Sequence, residues 1–88
     1  MNDFLKSLGI TESGHYSSKG NYIIDTDEKT FARYYSTLDK SDEVEASEDE
    51  SIVTQYSSSF VFTSDKYQLT LLSDFDTDKY QLVVREIK

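Results

Sequence analysis

The sequence predicts an α+β fold in which two helices pack on a four-stranded, mainly antiparallel sheet with a C-terminal three-stranded meander. Three observations carry this. The clearest apolar residues at helical spacing fall within the first 40 residues, and β-branched and aromatic residues dominate from Ser51 onward. In addition, "SDKYQLTL" at 64–71 returns as "TDKYQLVV" at 77–84. The 88 residues fit a single domain, 1–88. A chain of this size buries roughly 60 to 65 per cent of the surface that its unfolded form exposes.

The first element is a short helix. In "NDFLKSLG", Asn2 stands where an N-cap belongs, Phe4, Leu5 and Leu8 share one side, and Gly9 stands where a helix commonly stops. The polar "TESGHYSSKG" at 11–20 reads as a loop, and "NYIIDT" gives a first strand over 21–25. A second helix follows in "TDEKTFARYYSTLDK". Thr26 or Asp25 is its cap, and Phe31, Tyr34, Tyr35 and Leu38 fall at i, i+3, i+4 and i+7.

Residues 39–50, "DKSDEVEASEDE", hold seven acids and one lysine, with Val44 and Ala46 as the apolar content. No core is expected from such a segment, and its order is left open. "SIVTQYSSSF" at 51–60 suits a helix with Ile52, Tyr56 and Phe60 on one side, but Val53, Thr54 and three serines favour a strand. In the repeat, Tyr67, Leu69 and Leu71 alternate onto one face and Tyr80, Leu82 and Val84 do the same, leaving Gln68 and Gln81 opposite. Two copies at this spacing match strand, turn, strand; the alternative is a tandem surface that presents Lys66 with Lys79, or the two tyrosines, together. The expected core is Phe4, Leu8, Ile23, Phe31, Tyr35, Leu38, Phe60, Phe62, Leu69, Leu71, Leu82 and Val84.

Signals for chemistry are sparse. With no cysteine and a single histidine, His15, in a polar loop, no nucleophile–base pair is visible, and no enzyme activity and no cofactor are expected. "DFDTD" places Asp74, Asp76 and Asp78 like the first ligands of a calcium loop. Lys79 and Arg85 then stand where such a loop needs Gly and Glu, so a solvated hairpin turn is expected and no metal site. The three glycines form no phosphate cradle.

Charge is the strongest functional signal. A formal net charge of −8 repels nucleic acid and anionic membranes, so direct contact with either is not expected and a charged partner should be basic. No apolar run approaches a membrane span and "MNDFLKSLGITE" lacks signal-peptide regions, which points to the cytoplasm, that of a host cell if the protein is phage-encoded. The acids can serve solubility alone. Alternatively they imitate a phosphate backbone: Asp74, Asp76 and Asp78 in an extended segment would stand roughly 6.5 to 7 Å apart in a row. Asp42, Glu43, Glu45, Glu48, Asp49 and Glu50, with Asp27 and Glu28 from the helix, would extend that row along one flank. The expected partner is a basic nucleic-acid-handling protein such as a nuclease. The competing expectation is a binding module that uses a Tyr-rich sheet or an edge strand, with a homodimer as one form.

One stretch resembles a known family. "SEDESIVTQYSSSF" at 47–60 is similar to a segment of small acidic phage anti-CRISPR proteins that inhibit type II-A Cas9 by occupying the site that reads its DNA motif. The likeness lies in the serine and acids, then Ser51, Ile52 and Val53, then aromatics at Tyr56 and Phe60. It spans 14 of the 88 residues, and the C-terminal β repeat has no counterpart in that family. The resemblance implies a helix over the stretch, and Glu48, Asp49 and Glu50 meeting the arginines and lysines that otherwise grip DNA.

Overall fold

A computed structural model describes residues 2–87, apart from the side chain of Asn2. The N-cap expected of Asn2 therefore lies outside the described residues. In chain order the described elements are α1 (Asn2–Ser7), β1 (His15–Tyr16), β2 (Tyr22–Thr26), α2 (Glu28–Lys40), β3 (Glu45–Ala46), a 3-10 turn (Glu48–Glu50), β4 (Ile52–Val53), β5 (Ser57–Thr63), β6 (Tyr67–Asp74) and β7 (Lys79–Glu86). The sheet runs β1-β2-β7-β6-β5-β3, with β4 also paired to β5, and every pairing is antiparallel. The fold is α+β, as expected. Its four long strands make the centre of the sheet, and two-residue strands extend its edges: β4 falls within the segment expected to be strand, whereas β1 and β3 were not expected.

The two copies of the repeat are the neighbours β6 and β7. Leu69 pairs with Val84 and Leu71 with Leu82, so one apolar row serves both strands. Antiparallel pairing sends equivalent positions to opposite ends: Tyr67 faces Glu86, whereas Tyr80 faces Ser73. A tandem display of the two tyrosines or of Lys66 with Lys79 is not formed.

Both helices cover one face of the sheet. Helix α1 ends in a paired-bond stop: the N–H of Gly9 donates to the carbonyl of Lys6 at 2.9 Å, and that of Ile10 to the carbonyl of Leu5 at 2.9 Å. Gly9 has the positive φ, +80°, that this stop requires. Leu5, Leu8 and Ile10 then reach the core together, and Phe4 stacks on Tyr67 at 4.5 Å. The cap of α2 is Asp27, not Thr26 or Asp25. Its carboxylate accepts from the N–H of Thr30 at 2.8 Å, because β2 stays extended through Thr26, which pairs with Tyr80.

The core joins Tyr34 and Leu38 of α2 to Ile24, Phe62, Leu69, Leu71, Leu82 and Val84. Several expected positions move by one residue. Ile24 is fully buried while Ile23 turns to the helix-free face against Val83, and Tyr34 is buried while Tyr35 lies over Phe60 and Phe62 at the surface. Phe4, Phe31 and Phe60 are half-buried flanking residues. Val44, in the acidic segment from which no core is expected, is buried in the core and pins that segment. Residues 52–63 are strand, turn, strand. The helix that the resemblance implies over 47–60 is not formed: Glu48–Glu50 make a single 3-10 turn and strands follow.

Candidate acidic interface

The acidic segment folds as an interrupted edge strand. After α2, Glu43 N–H bonds the Ser41 hydroxyl at 3.1 Å and Val44 enters the core. Glu45 and Ala46 then pair with Thr63 and Phe62, and Ile52 and Val53 with Ser59 and Ser58. Between them the chain leaves the sheet, which would orphan the backbone of Val61. Two serines close the gap. The Val61 carbonyl accepts from the N–H of Ser47 at 2.7 Å, and its N–H donates to the Ser51 hydroxyl at 3.0 Å. The Ser51 hydroxyl also donates to the Ser47 carbonyl at 3.1 Å. This frame holds Glu48, Asp49 and Glu50 out in solvent on a single 3-10 turn.

Asp42, Glu43 and Glu45 line a cleft of about 720 Å³ between residues 42–47 and the β5–β6 turn. Asp65 joins them, and Lys66 is the cation among the described residues of this lining. A shallower hollow lined by Glu48, Asp49 and Glu50 shares Ala46, Ser47 and Thr63 with the cleft, so the two run on continuously. All seven carboxylates are exposed. Glu43 accepts from the Ser7 hydroxyl at 3.0 Å, and Glu50 accepts from the Gln68 amide at 3.3 Å, whose oxygen in turn takes Arg85 at 2.8 Å. Exposed carboxylates keep free lone pairs, and each can receive a two-pronged arginine.

The remaining expected residues lie elsewhere. Asp74 closes β6, and its Oδ1 accepts from the N–H of Asp76 at 3.0 Å and of Thr77 at 3.4 Å. Asp78 takes a φ of +56°. These residues form a tight turn, so the extended row of three carboxylates at phosphate-like spacing does not exist. The turn also stands at the far end of β6 from Tyr67, roughly 23 Å away at the usual strand rise. Asp27 and Glu28 belong to that far end too, because Thr26 pairs with Tyr80. The structure thus brings six of the nine expected residues together with Asp65, and separates Asp74, Asp76 and Asp78 from them. Among the described residues, no three His, Asp or Glu side chains are grouped to hold a metal. His15 lies in β1, 3.8 Å from Asp25 and exposed.

Asp65 could not be found from the sequence, because it reaches the acids only through the pairing of β3 with β5. No helix among the described residues is long and apolar enough to cross a membrane. Comparison of the chain with protein-family models, with curated proteins and with solved structures found no match in any of the three.

Proposed function

We propose that this protein is a small acidic inhibitor that occupies the basic nucleic-acid groove of a partner protein, standing where a polyanion would. The observation that supports this reading is the gathering of Asp42, Glu43, Glu45, Glu48, Asp49, Glu50 and Asp65 along one edge, on a frame of backbone and serine hydrogen bonds. A pre-formed anionic edge lowers the ordering cost of binding and draws a cationic groove at high rate. The resemblance at 47–60 makes a type II-A CRISPR nuclease the first partner to try, with Glu48, Asp49 and Glu50 facing its DNA-reading arginines. On this reading the protein is not an enzyme, and it works in the cytoplasm where its target handles nucleic acid.

Pairing through an edge strand has less support, since both sheet edges are two-residue strands, a form that blunts edges against further pairing. The deciding experiment is capture of partners from a host lysate at low and high salt, and competition with duplex DNA for the guide-loaded nuclease. Capture that weakens steeply with salt and is lost in Glu48→Gln/Asp49→Asn/Glu50→Gln supports the proposal; capture indifferent to both refutes it.

A further inference from the structure

At the end of the sheet away from the acidic edge, α2 and the strands leave a groove of about 390 Å³. Aromatic rings form its walls: Phe31 and Tyr35 from α2, Phe60 from β5, Phe75 from the β6–β7 turn and Tyr80 from β7. The register explains why it stays open. One cross-strand row carries Phe60, Leu71 and Leu82, and the next carries Val53, Ser58, Ser73 and Tyr80. In that second row two buried serines, bonded to each other, stand where large side chains would otherwise rise to meet the helix. Space is left above them, and Val53 and Phe75 remain 66% and 50% exposed beside it.

The rim is anionic. Glu28 lines the groove, Asp27 caps the same helix end, and the turn that carries Phe75 and leads to Tyr80 holds Asp74, Asp76 and Asp78 against one lysine, Lys79, so acids outnumber bases there. Desolvation first, and then Glu28 and Asp78, hold the Tyr80 phenol above the ordinary tyrosine range.

We propose that this groove receives an apolar anchor side chain from a partner-protein segment that carries basic residues next to the anchor. Charge complementarity selects this occupant. A second copy of the chain would set one acidic rim on another at a net charge of −8 each, and nucleic acid or an anionic membrane meets the same repulsion. A cationic amphipathic segment answers both features at once: its anchor fills the aromatic walls, and its lysines or arginines meet the rim or lie on the rings. The site is separate from the acidic edge and does not depend on the reading given for it.

The test is a titration of isotope-labelled protein, followed by amide NMR, with a synthetic amphipathic peptide that carries Leu and Phe on one helical side and Lys on the other. The expected shifts fall on Ala32, Tyr35, Val53, Phe75 and Tyr80. Phe75→Ala, a half-exposed position, weakens binding by about fivefold or more, as does Val53→Asn if Phe75→Ala fails to fold. Glu28→Gln/Asp78→Asn reduces its salt dependence. Glu48→Gln/Asp49→Asn/Glu50→Gln leaves these shifts unchanged, which keeps failure here distinct from failure of the acidic-edge reading. Absence of shifts, shifts confined to residues 42–50, or equal binding by a peptide with Glu in place of Lys would overturn the proposal.

Discussion

The hydroxyl of Tyr34, buried in the core, donates to Oε1 of Glu12 at 2.7 Å, so helix α2 fastens the chain that leads into β1 through one phenol–carboxylate bond. Arg33 holds the other oxygen of the same carboxylate, and its guanidinium lies 5.4 Å from the centre of the Tyr34 ring.

A pH dependence follows from this contact. The Tyr34 hydrogen bond above all, with Arg33 adding to it, holds Glu12 below the usual carboxylate range; the Thr30 N–H does the same for Asp27. A depressed folded-state pKa means that the ionised form supports the fold. That support is complete only well above the unfolded values, 4.5 for Glu12 and 3.8 for Asp27, where the unfolded carboxylates are also ionised, and is lost as pH falls through the folded values. Urea midpoints measured from neutral pH down to about pH 2 should decline, and Glu12→Gln should flatten the acid limb. An unchanged slope in that variant would contradict the assignment. Tyr34→Phe should cost about 1 kcal/mol at neutral pH.

Gly14 makes a steric prediction. A Cβ built there would lie 2.3 Å from the carbonyl oxygen of Ile23 and 2.9 Å from Cγ1 of Ile24, where β1 runs beside β2. The Gly14 N–H also donates to the Tyr22 hydroxyl at 2.7 Å. Gly14→Ala should therefore destabilise by about 1 to 3 kcal/mol and speed amide exchange at Tyr16 and Tyr22. Wild-type stability in this variant would mean that the approach is looser than described.

Ser58 and Ser73 predict a non-additive pair. Replacing either by Ala leaves the other hydroxyl buried without its partner, at a cost of about 1 to 2 kcal/mol, whereas removing both should be close to neutral. A double-mutant cycle by urea unfolding checks this, and additive losses would argue against a mutual hydrogen bond.

Much of this molecule was legible from residue spacing, and the exceptions share a cause. The repeat announced β6 and β7 because Leu69, Leu71, Leu82 and Val84 alternate cleanly against Gln68 and Gln81. Adjacent apolar twins were ambiguous: Ile23 with Ile24, and Tyr34 with Tyr35, fit either phase, and only the neighbouring elements choose between them. The acids at 42–50 are close in sequence, so their gathering was visible. Sequence spacing alone suggests Asp74, Asp76 and Asp78 on the same flank, but an antiparallel strand puts its two turns at opposite ends. The aromatic groove depends on Ser58 facing Ser73, and no single stretch of sequence carries that register.

The central claim is that the 42–50 edge acts as a polyanion, and the salt dependence of partner affinity tests it most directly. For the wild-type protein, affinity should fall by about tenfold or more between 50 and 200 mM salt, and Glu48→Gln/Asp49→Asn/Glu50→Gln should both weaken binding and flatten that dependence. An affinity that ignores salt, with the triple variant binding as tightly as the wild type, would contradict the account.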